Sequence, residues 1–259
     1  MEPAYYERVD AQTFVASRAT QSPWDARLQH GGPPTALLAR AMLAQHPRGG
    51  MRLARINAEF LGPIPIARMT VRTRIVRPGK RIEMLEGALE ADGREVVSAR
   101  AWRIAVQSPG SVPPAATSPD TPPPLPSEQA QRDWLQGWGY GESIEWRYAT
   151  RTLAQGPKAV WTRVRIPLIA GDSLEPLDRA LVVVDSANGV SGELPMDKWL
   201  FVPPSLSVAI EREPRGEWVL LDARSTLSDD GLGISTARLA DEGGYLAAAT
   251  QALLVERRV

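Results

Sequence analysis

Apolar positions recur along this chain with two periods, and the switches between them divide it into elements. Residues 29–46 open with Gln29-His30-Gly31-Gly32-Pro33-Pro34 and continue as a run whose only charge is Arg40. Two prolines suit a first helical turn, and a helix apolar on most faces belongs inside a fold, so this segment predicts a buried helix. From Arg52 the period becomes that of strands, over Arg52–Leu61, Arg68–Val76, Arg81–Leu89 and Arg94–Val106, with a hairpin turn predicted at Asp92-Gly93. Shorter strand-like pieces, Tyr5–Val9 and Thr13–Ala16, precede the helix. One buried helix followed by four antiparallel strands predicts a sheet curled around that helix.

The same order then returns. Strand-like Glu145–Thr152 and Lys158–Pro167 lead to the apolar stretch Leu177–Gly189, which predicts a helix entering a core, and then to strand-like Trp199–Glu211, Glu217–Arg224, Gly233–Leu239 and Tyr245–Glu256. Ala91-Asp92-Gly93 matches Ala240-Asp241-Glu242-Gly243 and Phe60 matches Ile210, an offset of about 150 residues. Such self-similarity predicts two copies of one α+β unit, each offering a sheet face that the other covers. Between the copies, residues 107–129 hold eight of the 23 prolines and read as an extended linker. The expected organisation is a first unit over residues 1–106, a linker over 107–130 and a second unit over 131–259. Trp134, Trp138 and Trp146, just past the linker, read as packing aromatics.

Composition narrows the chemistry. With 30 basic and 30 acidic residues the formal charge is zero, so nothing points to nucleic acid or an anionic membrane surface. There is no cysteine and only His30 and His46, which removes thiolate chemistry and leaves a metal site or a Ser-His-Asp system poorly supplied. The N-terminus lacks signal-peptide character and no run approaches the roughly 18 apolar residues of a membrane span, so the expected location is cytoplasmic.

One residue interrupts the apolar logic. Asp185 follows Leu181-Val182-Val183-Val184, and a carboxylate entering an apolar environment is costly unless paired or hydrogen-bonded. Either the helix ends there, with Asn188-Gly189 closing it, or the carboxylate has a task. Duplicated units share what the fold needs, so a polar residue in one copy alone is the better functional candidate. Gln251 falls opposite Ala101, and the helical position of Asp185 falls among Ala41, Met42 and Leu43. Conversely, His30-Gly31-Gly32 has no glycine pair opposite it in Leu174-Glu175-Pro176, and backbone N–H groups at a helix start suit a developing oxyanion.

The His-Gly-Gly-Pro-Pro helix opening, Val76-Arg77-Pro78-Gly79-Lys80-Arg81, the Asp185-x-x-Asn188-Gly189 helix, and the closing Gly216–Thr226 and Thr250–Val255 patterns together resemble the acyl-CoA thioesterase-like, double hotdog family. The resemblance implies a double hotdog, two tandem antiparallel sheets each wrapped around a long helix. It further implies hydrolysis of an acyl-CoA thioester by an activated water, with no metal or cofactor, in a homo-oligomer. Carried over, its aspartate falls on Asp185, accepting a proton from the water, and its glutamine on Gln251, fixing that water. Its third position, a Thr or Asn, falls at or next to Pro203, so Ser205 or Ser207 takes the role only if the strand shifts. His30, Gly31 and Gly32 are expected at the substrate, the glycine N–H groups on its carbonyl oxygen, and Arg77, Lys80, Arg81 and Arg224 are candidates for the CoA phosphates. Two alternatives stand beside hydrolysis: a non-catalytic acyl- or CoA-binding module, and a hydratase or dehydratase. The last wants a carboxylate paired with histidine, and neither His30 nor His46 stands near Asp185 in its own half.

Overall fold

In a computed structural model, which describes residues 2–108, 110–111, 120–127, 135–149 and 155–258, the first half builds β1 (Tyr6–Arg8), β2 (Thr13–Ala16), α1 (Gly32–Gln45), β3 (Met51–Phe60), β4 (Arg68–Arg77), β5 (Ile82–Ala91) and β6 (Arg94–Ala105). The second half builds α2 (Gly139–Glu142), β7 (Ile144–Tyr148), β8 (Lys158–Val164), α3 (Pro176–Val184), α4 (Ala187–Val190), β9 (Trp199–Val202), β10 (Ser205–Ile210), β11 (Val219–Leu227), β12 (Leu232–Asp241) and β13 (Gly244–Arg257). Alternation is visible in the burial: along β5 every second residue from Glu83 to Ala91 is buried, which is what a sheet with one face on a core requires. Asp92 and Gly93 take positive φ (50° and 75°), the left-handed pair that a two-residue hairpin demands.

All the described strands join one antiparallel sheet in the order β1-β2-β4-β5-β6-β3-β10-β13-β12-β11-β8-β7, with β9 on the far end of β13. The two halves meet at β3 and β10, where Asn57 pairs directly with Ser207 and accepts a 2.8 Å hydrogen bond from its hydroxyl. Those two residues are 150 positions apart, the same offset that relates the copies, so a local two-fold axis runs through that pair. The sheet curls around α1 and α3, which pack against each other in one shared core with Leu37, Leu38, Met42, Leu181, Val182 and Val183 fully buried. This is the double hotdog.

The helices touch because a glycine lets them. A Cβ on Gly32 would lie 1.9 Å from the Val182 carbonyl oxygen, so only hydrogen fits at that crossing. At the start of α3, Glu175 and Asp178 form a reciprocal capping box, and Asp178 also pairs with Arg40 of α1.

Three sequence expectations change. Trp199–Glu211 is not one strand: Pro203-Pro204 cannot continue the ladder and splits it into β9 and β10, which pair with successive stretches of β13, while β10 alone also pairs with β3. Of Glu145–Thr152, the residues to Tyr148 are strand and Ala149 is not, while residues 150–152, like Trp134 and much of the proline-rich stretch, lie outside the described residues. Residues 120–127 of that stretch rest against the second half: Trp161 Nε1 donates to Pro123 O (3.0 Å), Arg147 to Pro126 O (2.9 Å), and Arg238 pairs with Asp120 (2.8 Å). Backbone carbonyls without competing N–H groups on proline make such a segment a ready acceptor. No helix among the described residues is long and apolar enough to cross a membrane.

Substituting Gly32→Ala forces the two helices apart and is expected to lower unfolding stability by about 1–3 kcal/mol. Denaturant unfolding measures it; a midpoint equal to the parent's would mean that the crossing yields without cost.

Candidate functional site

Asp185 caps α3 at its C-terminus, and the chain continues through Ser186 into α4. Gly189 lies within α4 and does not adopt the left-handed conformation, so the helix is not closed by Asn188-Gly189 in the way the residue types suggest. Asn188 instead turns inward and donates to Phe201 O at 2.8 Å, tying α4 to β9.

Asp185 is 5% exposed and both its carboxylate oxygens are engaged. Oδ1 accepts from Gln251 Nε2 at 2.7 Å. Oδ2 accepts from the backbone N–H of Gly31 at 2.9 Å and lies 3.1 Å from His30 Nδ1. A buried carboxylate is tolerated under such conditions, because the donors replace the water it has lost. Gln251 comes from the inward face of β13 and is 1% exposed; its Oε1 and the hydroxyl of Ser235, its direct partner on β12, are both buried without a hydrogen-bond partner.

The His30-Gly31 turn is shaped for this contact. A Cβ on Gly31 would stand 2.5 Å from the Phe60 ring and 2.8 Å from Asp185 Oδ2, so the backbone reaches the carboxylate only as glycine. His30 N donates to Thr20 O (2.7 Å) and Thr35 Oγ1 to Gly31 O (2.7 Å), which fix the turn from either side. The His30 ring lies flat on Tyr140, centroids 4.1 Å apart and planes 9° from parallel. Tyr140 is held in turn by its hydroxyl, which donates to Val182 O (2.8 Å) and lies 2.9 Å from Ser186 Oγ. Burial pulls the His30 imidazole below the ordinary histidine value, against the opposing pull of the Asp185 charge, and pushes the Tyr140 phenol well above its own.

This cluster forms one wall of a cavity of about 1070 Å³ that Trp24, Phe60, Trp138, Trp146 and Pro203 line together with His30, Gly31 and Asp185. The structure therefore brings together Asp185, Gln251, His30, Gly31 and Gly32. It does not bring Ser205: Leu206 and Val208 face the core, so Ser205 and Ser207 face the other side of the sheet, and Ser205 pairs with Glu59. Continuing the β10–β13 register one pair past Ser207–Thr250 places Leu206 beside Gln251, so no hydroxyl stands on that side. The role expected for the glycine N–H groups also changes at Gly31, whose N–H is spent on Asp185. Pro33 and Pro34 have no N–H to add. Arg77 is turned to Ile82 O (2.8 Å), and Arg77, Lys80, Arg81 and Arg224 are not among the cavity-lining residues; Lys158 is.

The largest departure from the sequence reading is His30. It stands far from Asp185 in its own half, yet the packing of α1 on α3 sets it against Asp185 of the other half. Tyr140 and Phe60 carried no functional signal, and Trp138 and Trp146, read as packing residues, line the cavity. At the counterpart position the loop before α3 meets α1 through ion pairs. Arg40 pairs with Asp172 (3.1 Å) and Asp178 and donates to Ser173 O (2.9 Å), and Arg8 pairs with Asp172 (2.7 Å). Among the described residues no group of three His, Asp or Glu is placed to hold a metal ion.

Residues 119–255 match the acyl-CoA thioesterase C-terminal domain and residues 20–104 the acyl-CoA thioesterase N-terminal domain. The chain belongs to the acyl-CoA thioesterase family. No curated protein matches its sequence. Among solved structures it is similar to acyl-CoA thioesterase II TesB2 of Mycobacterium marinum (16% identity, 98% of this chain and 95% of that one, TM-score 0.70). It is also similar to a hot dog fold protein of Alicyclobacillus acidocaldarius (18%, 97% and 96%, TM-score 0.73) and to the tesB protein of Mycobacterium avium subs paratuberculosis (16%, 97% and 96%, TM-score 0.67). These likenesses establish the fold.

Removing the Tyr140 hydroxyl while keeping the ring isolates one part of this wall. Tyr140→Phe is expected to cost about 1 kcal/mol of stability, one buried hydrogen bond, and to leave the stack on His30 in place. Thermal melting reads the loss; a gain in stability would count against the hydrogen bonds to Val182 and Ser186.

Proposed function

We propose that this protein hydrolyses an acyl-CoA thioester with a water activated at Asp185. The observation that carries the reading is a carboxylate held by Gln251 and Gly31 at the wall of a large, mostly apolar cavity. An apolar cavity with few convergent polar groups suits an acyl chain, and a carboxylate fixed on its wall can position a water against the thioester carbon. Membership of the acyl-CoA thioesterase family supports the substrate class. Gln251 reaches the carboxylate oxygen, so its part is to hold Asp185 in one orientation, and through it the water near the thioester carbon. The CoA thiolate is a good leaving group, so hydrolysis needs no strong acid.

A second reading, addition of water across the double bond of an enoyl thioester, is favoured by the histidine 3.1 Å from Asp185. Binding of the acyl thioester without turnover is the third. Free-thiol release from acyl-CoAs of graded chain length, measured beside hydration of an enoyl-CoA, separates them. The expected outcome is thiol release that Asp185→Asn lowers about 10²-fold or more and Gln251→Leu by up to about 10²-fold. Thiol release untouched by Asp185→Asn would sink the reading, and hydration or binding alone would replace it.

A further inference from the structure

The Asp185 carboxylate has three polar neighbours and one of them differs in kind. Gln251 Nε2 and Gly31 N are fixed donors that carry no proton to the cavity. His30 is a proton carrier, 8% exposed, on the cavity wall, and its Nδ1 faces Asp185 Oδ2 at 3.1 Å. Resting on the hydrolytic reading above, we propose that His30 Nε2 is the group that takes the proton from the attacking water, while Asp185 orients the ring from the opposite half of the chain.

Three observations support this assignment. First, the Oδ2 oxygen accepts from Gly31 N, and it meets Nδ1 favourably only when that nitrogen carries its hydrogen. The competing contact, Gly32 N to Nδ1 at 3.3 Å, is longer and involves an uncharged group. With Nδ1 committed as donor, the neutral ring keeps its lone pair on Nε2. Second, among the described residues Nε2 has no hydrogen-bond partner, and it is not among the fully enclosed unpartnered atoms, so it is open to the cavity. Third, the ring cannot turn away. Tyr140 covers one face at 4.1 Å, and the backbone on either side is bonded to Thr20 O and Thr35 Oγ1. The groups facing His30 are Asp185 from the end of α3, Tyr140 from α2 and the Gly32 N–H from α1; Asp25 and Lys158 line the same cavity. Burial holds the imidazole neutral near pH 7, the form that accepts a proton.

The step balances without a co-reactant. A water oxygen bonds to the thioester carbonyl carbon as its proton passes to Nε2, giving a tetrahedral oxyanion and an imidazolium opposite the Asp185 charge. The oxyanion collapses, the carbon–sulfur bond breaks, and the CoA sulfur leaves with the proton from Nε2. Neutral His30 is restored, and the carboxylic acid product loses its proton to solvent.

His30→Asn keeps an amide N–H near the Nδ1 position and removes the base. In the full chain, it is expected to lower kcat by about 10²- to 10⁴-fold with KM nearly unchanged. It should also abolish the acid-side fall of kcat/KM, which in the parent lies below the ordinary histidine value. A His30→Asn enzyme with parental kcat and the same acid-side fall would overturn the assignment. Nitrogen NMR of histidine-labelled parent protein tests it independently of turnover. His30, distinguished from His46 by a His46→Gln variant, is expected as the Nδ1–H tautomer at neutral pH, and Asp185→Asn to shift that balance. A hydrogen found on Nε2 would overturn the inference. Parental protein that releases no thiol from any acyl-CoA overturns the hydrolytic reading instead, and the tautomer measurement still decides the pairing.

Discussion

The contact on which the site depends is the crossing of α1 and α3 at Gly32. Helices packed through side chains commonly lie 8–10 Å apart, whereas here a glycine sits directly on the Val182 carbonyl. That closeness carries the His30-Gly31 turn to within hydrogen-bonding range of Asp185, a residue 154 positions away. Any spacer at Gly32 would leave Asp185 facing the cavity with one of its oxygens unserved. The prolines that follow pre-set the backbone of the first turn, so the geometry is fixed by chain chemistry before any substrate arrives.

The carboxylate is satisfied by parts drawn from three places: a strand of its own half, a turn of the other half and a ring lodged on Tyr140. Each is locked by contacts outside the cavity, in β13 pairing, in the Thr20 and Thr35 bonds and in the Tyr140 hydroxyl. A cluster assembled this way cannot relax by rotating one side chain. It has little to reorganise when charge develops beside it, which is the condition under which fixed dipoles contribute most to lowering a barrier.

Much of this was legible in the sequence, because periodicity reports directly on which face of a strand or helix is buried. β3 to β6 fall within a residue or two of the predicted segments, and the 150-residue offset shows in the Asn57–Ser207 pair at the centre of the sheet. Asp185 and Gln251 stood out because a duplicated chain provides its own comparison: Ala101, and the stretch Ala41 to Leu43, are apolar where the second copy is polar. What sequence could not supply was any relation between the halves. His30 lay in a loop of the other half, and its partner follows from helix packing, which periodicity does not encode. Ser205 failed as a substitute for a simple reason of parity: in a strand with Leu206 and Val208 on the core, its side chain belongs to the other face.

The ion pairs around Arg40 have a meaning of their own. Two separate identical subunits related by a true two-fold would have to use one sequence for both pockets, so every residue that opened one would open the other. Joining the copies in a single chain removes that constraint. One junction of the helices borders a cavity with a histidine and a carboxylate, and the other is a network of ion pairs around Arg40. That network can act as a strut that holds the halves in register beside the cavity.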